Sequence, residues 1–157
     1  MIFFGTDPGV NGGMACLHTT NTRNLLSVKT LKFSTTTELG IWQWIDCMPK
    51  GHGVQTVHSY VEQQAVRPTD RRTNVAKLHH QWGVIRAFFI ATEEIQLHAV
   101  RPQEWQREFK LIVPKTWTHT KKKNLHKQRA EELFPGIKIT HAIADALLIA
   151  EWGRRQP

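Results

Sequence analysis

The sequence predicts an α/β fold, a mixed central sheet of about five strands flanked by helices. Three observations predict it. Short apolar and β-branched runs recur near Ile2, Met14, Leu25, Val54 and Ile95. Residues at helical spacing fill the intervals between and after the later runs. The resulting order is three strands, helix, strand, helix, strand, then helices. The first three runs are too close together for crossover helices, so they form an antiparallel meander.

The first strand spans Ile2 to Thr6 and stops at Asp7-Pro8-Gly9, where proline and glycine force a turn. A second strand follows Gly12-Gly13, near Met14 to His18, and a third spans Leu25 to Phe33. Thr37 caps a helix from Glu38 to Cys47, with Leu39, Trp42, Ile45 and Met48 as its apolar stripe. Pro49-Lys50-Gly51 ends it. A strand rich in valine and threonine runs from Val54 to Glu62. The long helix covers Arg71 to Ala91, and Leu78, Trp82, Ile85 and Phe89 recur along one face of it. After a strand from Ile95 to Val100, Pro102 opens a helical turn through Phe109. Lys110 to His119 reads as an exposed loop. Thr120 caps a helix from Lys121 to Phe134, ended by Pro135-Gly136, and Thr140 caps the last helix, from His141 to about Trp152.

The 157 residues suit a single domain, 1–157, with a sizeable core. Lys and Arg total 21 against 13 for Asp and Glu, a formal charge of +8, which favours a polyanionic partner. The two cysteines form no Cys-x-x-Cys pair, so neither a disulfide framework nor a zinc site is expected. None of the nine histidines shows the His-Glu-x-x-His spacing of zinc hydrolases. The start has no basic leader, and no apolar run approaches the roughly 20 residues of a membrane span. The expectation is a soluble cytoplasmic protein.

Three carboxylates stand out. Asp7 ends the first strand, Glu62 ends the central strand, and Asp145 lies in Ala142-Ile143-Ala144-Asp145-Ala146-Leu147-Leu148, an otherwise apolar helical segment. A lone buried carboxylate is costly unless it is paired or metal-bound. If the first and central strands are parallel neighbours, Asp7 and Glu62 emerge at one sheet edge, and the last helix can add Asp145. Clustered carboxylates repel one another, and divalent cations relieve that repulsion. Each residue alone also fits an ordinary role: a turn acceptor for Asp7, a strand-end charge for Glu62, a charge near a helix N-terminus for Asp145. The combination and its order carry the reading.

Phe4-Gly5-Thr6-Asp7-Pro8-Gly9-Val10-Asn11-Gly12-Gly13-Met14-Ala15 resembles the opening of RuvC-type Holliday-junction resolvases, of the ribonuclease H-like superfamily. Val61-Glu62-Gln63 resembles their second acidic strand end, and Asn74 to Ala87 the helix that follows it. Ile143-Ala144-Asp145-Ala146-Leu147-Leu148-Ile149-Ala150 resembles their C-terminal helix. With the ending Glu151-Trp152-Gly153-Arg154-Arg155, the likeness is greatest to compact resolvase-like nucleases of bacteriophages. It extends over almost the whole chain.

The resemblance implies a four-acid site holding two Mg2+ ions, with Mn2+ as a substitute. Asp7, Glu62 and Asp145 match three of the acids, with Asp7 the best candidate to bridge the ions. The fourth is often aspartate, sometimes histidine, and is often three residues before Asp145. Ala142 stands there, so His141, four residues before Asp145 on nearly the same helical face, is the candidate, as metal ligand or as base. Two ions about 3.5–4 Å apart would flank the scissile phosphate. The implied reaction is phosphodiester hydrolysis of four-way or branched DNA, leaving 5′-phosphate and 3′-hydroxyl ends as paired nicks. Two nicks across a junction need two sites, which a homodimer supplies.

Arg67, Arg71, Arg72 and Lys77 follow Glu62, and a second basic group contains Lys115, Lys121, Lys122 and Lys123. Together they suit the DNA backbone, although any one of them also fits a solvated surface. Family members often carry an aromatic wedge after the second acid, whereas this chain reads Gln63-Gln64-Ala65-Val66-Arg67. Trp105 and Trp117 lie in or near loops and suit either base stacking or, for Trp105, the core. Trp42, Trp82 and Trp152 fit buried helix faces. A broader branched-DNA or flap endonuclease, an RNase on the same fold, and a non-catalytic junction-binding module remain as alternatives. An actin-like ATPase would need a second domain for which this chain is too short.

Overall fold

The computed structural model describes residues 1–21, 23–47, 56–63, 72–92 and 95–157. The elements are β1 (Ile2–Asp7), β2 (Gly13–Thr19), β3 (Leu25–Lys32), a 3-10 turn at Phe33–Thr35, α1 (Glu38–Asp46), β4 (Val57–Glu62), α2 (Arg72–Ala91), β5 (Ile95–Val100), α3 (Pro102–Glu108), α4 (His119–Leu133) and α5 (His141–Arg155). The strands form one mixed sheet in the order β3-β2-β1-β4-β5. β1, β2 and β3 pair antiparallel, while β1–β4 and β4–β5 pair parallel. The antiparallel half is the predicted meander, and the parallel half is built by crossovers, each containing a helix.

Side chains alternate across the sheet, so each face has its own core. Ile2, Phe4, Met14, Cys16 and Val61 point to one face and pack with Ile41 and Ile45 of α1 and Ile85 and Phe89 of α2. Phe3, Ala15, Leu17 and Tyr60 point to the other, beneath Trp105 of α3, Ala130 of α4 and Ile143, Leu147 and Ala150 of α5. The β1–β4 register pairs Gly5 with Tyr60 and Thr6 with Val61. Continuing it by one residue sets Asp7 beside Glu62, and alternation turns both side chains to the α5 face.

Close approach of α5 to β1 requires Gly5. A Cβ there would collide with the Ala146 carbonyl oxygen and the Ala150 nitrogen. The small residues at both surfaces let the helix backbone rest on the strand, which brings Asp145 to the end of β1. The helix is buried from Ile143 through Glu151. Its last turn is tied by Glu151, whose carboxylate receives Arg154 Nε at 2.7 Å and Arg155 Nε at 2.8 Å. This pairing carries the helix to Arg155, past the expected end near Trp152.

Four sequence expectations need correction. The buried stripe of α1 is Ile41 and Ile45, and Leu39 is 62% exposed. Trp44, which packs partly into the same core and meets Phe4 edge-on, takes the place the stripe gave to Leu39. α4 begins at His119, where an exposed loop was expected, and its cap is Thr118, whose hydroxyl accepts from the Lys121 N–H at 3.3 Å. Thr118 and Thr120 offer the same capping chemistry, so composition does not separate them. Thr140 stands at the N-cap position of α5, but its side chain makes no capping bond. Thr37 caps α1 as expected, accepting from the Gly40 N–H at 3.1 Å. Trp42, Trp82 and Trp152 are half-buried, not enclosed. Met48, the stop at 49–51 and the strand start at Val54 lie outside the described residues. No described helix is long and apolar enough to cross a membrane.

Candidate active site

Asp7 is held where the chain leaves the sheet. The Gly9 N–H donates to Asp7 Oδ1 at 3.1 Å, and the Gly12 N–H donates to the Gly9 carbonyl at 2.7 Å. A Cβ at Gly12 would collide with the Asp7 carbonyl oxygen, so the turn that orients Asp7 depends on glycine there. Glu62 ends the neighbouring parallel strand and accepts from Trp105 Nε1 at 3.2 Å. Asp145, in the second turn of α5, accepts from His126 Nδ1 at 2.8 Å and from Lys123 Nζ at 2.7 Å. The same ammonium lies 4.0 Å from Asp7 Oδ2.

The structure therefore brings together Asp7, Glu62 and Asp145 and adds partners that the sequence did not identify. Burial raises the proton affinity of Asp7, and the Asp145 charge adds to it. The Glu62 carboxyl is pushed up to about 8, first by burial and then by the Asp7 and Asp145 charges. Burial acts on Asp145 in the same direction, but the His126 hydrogen bond and the Lys123 charge outweigh it and hold Asp145 below the usual carboxylate range. For Lys123, burial opposes the charged form, and the Asp145 and Asp7 carboxylates more than restore it. Asp145 is thus the carboxylate the ammonium holds charged, while burial favours the protonated form of Asp7 and Glu62.

His141 is exposed, and its Nε2 pairs with Asn124 Oδ1 at 2.9 Å, not with a carboxylate. It nonetheless borders a groove of about 650 Å³ that also contains Asp7, Lys77, His119 and Lys123. A second groove, of about 700 Å³, contains Glu62, Arg101, Gln106, Lys122, Lys123 and Asp145. Lys123 and His119 line both, so the carboxylates sit where the two grooves meet. Among the described residues, no three His, Cys, Asp or Glu side chains are gathered tightly enough to enclose an ion.

The basic residues divide. Lys77 and Lys122 line the grooves, Lys115 is exposed, and Lys121 Nζ rests 3.8 Å from the centre of the Trp117 ring. Lys123, expected among the backbone contacts, is turned inward onto the acids. Arg72 opens α2, while Arg67 and Arg71 lie outside the described residues. Trp105 belongs to the core and is fully buried, so it is not available for base stacking.

His126 and Trp105 are the residues that sequence reasoning missed at this site. One signal was present: Lys123, His126 and Ala130 fall at helical spacing on one side of α4, and that side packs on α5.

No family model matches the chain, and no curated protein sequence matches it. Among solved structures, RuvC of Thermus thermophilus in complex with a Holliday junction substrate superposes over 97% of this chain and 92% of its own, at 14% identity and a TM-score of 0.64. Another Thermus thermophilus RuvC structure matches over the same shares, at 15% identity and a TM-score of 0.61. The fold is RuvC-like, of the ribonuclease H-like class.

Proposed function

We propose that this chain is a divalent-metal-dependent DNA endonuclease that resolves four-way junctions, acting in the cytoplasm as a homodimer of single-domain subunits. The observation that carries the reading is the meeting of Asp7, Glu62 and Asp145, from three separate elements, at the junction of two basic-lined grooves. The RuvC of similar fold is in complex with a Holliday junction substrate, which supports branched DNA as the substrate class.

The donor chemistry suits a hard divalent cation, and the three carboxylates would draw closer on an ion than they stand here. Carboxylate oxygens are the donors magnesium prefers. Asp7 and Glu62 both hold protons more tightly than usual, first because they are buried and then because other carboxylates lie beside them. Asp7, Glu62 and Asp145 would hold Mg2+, or Mn2+ in its place, and His141 is the candidate fourth ligand or base once its ring leaves Asn124. When bound, such an ion makes water a stronger acid and offsets charge on the phosphate being cut. Lys77 and Lys122, with Lys115, Lys121 and the 67–72 arginines, would hold the DNA backbone. Lys123, released from Asp145, would offer its ammonium to the phosphate at the meeting of the grooves. Hydrolysis leaves 5′-phosphate and 3′-hydroxyl ends, and two-fold symmetry gives two nicks.

The test is cleavage of end-labelled four-way junction, flap and linear duplex DNA with Mg2+, comparing wild type with Asp7→Asn. Paired nicks in the junction that vanish in the variant, with junction binding retained, are expected. Equal cutting of flaps makes the enzyme a broader branched-DNA nuclease. Cleavage unaffected by Asp7→Asn overturns the site. One observation favours a second reading: the Lys123–Asp145 pair already neutralises part of the cluster without metal. A junction-binding module of that kind would bind four-way DNA and cut nothing with any metal.

A further inference from the structure

We propose that Trp105 and His126 form one bracket of positioning residues that fixes Glu62 and Asp145 relative to each other for the cation, an inference that rests on the metal-dependent reading above. The two carboxylates come from β4 and α5, and nothing in either element alone sets the distance between them. Their partners come from two further elements, α3 and α4. Trp105 has no exposed surface, and its single N–H points at Glu62 Oε1, 3.2 Å away. His126 is buried and bonds Asp145 Oδ1 at 2.8 Å. A carboxylate oxygen only accepts here, so Nδ1 carries the proton. The two rings then meet edge to face, with centroids 5.4 Å apart and planes at 78°.

The three contacts make a closed chain: Glu62, indole, imidazole, Asp145. Each ring is locked by packing, so neither carboxylate can swing without breaking a buried hydrogen bond. The other oxygen of Asp145 has a different partner. Lys123 reaches Oδ2 on a long side chain that is 28% exposed, against 10% for His126. A cation can therefore exchange with Lys123 at Oδ2 while His126 keeps its hold on Oδ1. Donors behind metal-binding groups act this way in general, orienting them and raising their affinity.

The experiment is calorimetric titration of Mn2+ without DNA into wild type, Trp105→Phe, His126→Ala, His126→Asn and the Trp105→Phe/His126→Ala double variant. Phenylalanine keeps an aromatic ring and removes the donor, while asparagine keeps a donor in place of Nδ1. Trp105→Phe and His126→Ala should each weaken Mn2+ binding roughly 10- to 100-fold. The double variant should lose less than the product of the two effects, because either change opens the same bracket. His126→Asn should recover most of the affinity. In the metal-free protein, the Trp105 indole N–H resonance should move in His126→Ala, a local readout that general destabilisation of a folded protein does not give. If Trp105→Phe does not fold, the His126 pair of variants and the indole resonance carry the test. Wild-type affinity in both single variants overturns the bracket and leaves the nuclease reading standing. Wild-type protein that binds no manganese instead overturns the metal-dependent reading, and with it the use given to the bracket.

Discussion

Lys123 Nζ lies 2.7 Å from Asp145 Oδ2, so an ammonium occupies the side of Asp145 that faces Asp7. The pair joins the consecutive helices α4 and α5, and it stabilises the cluster in the absence of metal.

Lys123→Met should therefore destabilise the metal-free protein by about 1–3 kcal/mol, the usual cost of a buried oxygen left without its donor, since Asp145 keeps His126. Denaturant unfolding with a chelator present measures this. Added Mn2+ should stabilise the variant by more than it stabilises wild type, because the competing ammonium has gone while the carboxylates remain. Equal stabilisation of both proteins would mean that lysine and metal do not share Asp145.

Stability should also depend on pH through Glu62. Its carboxyl moves from an ordinary 4.5 to about 8 on folding, so the folded state binds this proton more tightly than the unfolded chain does. Stability from this group is complete below 4.5 and is lost as pH rises towards 8. Metal-free wild type should weaken between about pH 5 and pH 8, and Glu62→Gln should flatten that decline. Unfolding curves across this range, with chelator, give the slope. A slope unchanged in Glu62→Gln would remove the basis for the raised carboxyl.

The sheet edge was legible in the sequence because it depends on local rules. Strand alternation and the Asp7-Pro8-Gly9 stop place Asp7, and a parallel neighbour then places Glu62. The charge run Lys121-Lys122-Lys123 was not legible in the same way. The three lysines are alike in sequence, yet Lys121 lies over Trp117, Lys122 lines a groove, and only Lys123 meets the acids. That division comes from how α4 packs on α5, which no local pattern encodes. The histidines divide for the same reason. His141 shares a helix with Asp145 but turns to Asn124, while His126 reaches Asp145 from α4. Trp105, in a short helical turn near loops, suited either base stacking or the core by sequence, and the packing of α3 decides for the core.

Gly5→Ala tests how the site is built from packing alone. A single methyl would collide with the α5 backbone at Ala146 and Ala150, atoms that cannot rotate away. The helix must lift, at a cost of about 1–3 kcal/mol or more for an overpacked core. Asp145 sits one residue before Ala146, so it lifts too. The variant should lose stability and also bind Mn2+ more weakly than its remaining folded fraction explains. Thermal unfolding and calorimetry on the same preparation separate the two effects. Weaker folding with unaltered metal affinity would mean that Asp145 does not depend on the seating of α5 on β1.

Glu151→Gln tests the far end of the same helix. Glu151 is buried, and Arg154 grips both of its oxygens while Arg155 adds a third contact. Arg154 also donates to the Arg23 carbonyl at 2.7 Å, which ties the β2–β3 turn to the C-terminal helix. Burial works against the Glu151 charge, but the two arginines outweigh it and hold the carboxyl below its ordinary 4.5. The sign is the reverse of that for Glu62. This group's contribution is present above 4.5 and is lost as pH falls below it. At neutral pH the variant should be less stable by about 1–3 kcal/mol, since a neutral amide accepts weakly from two guanidinium groups. The gap between variant and wild type should close on acidification, and chemical denaturation at neutral and acid pH measures it. Metal affinity should stay near wild type, because Glu151 lies more than a helical turn beyond Asp145 and Gly5 still seats the helix between them. A gap that persists at acid pH would mean that the stabilisation comes from packing and not from the ion pairs.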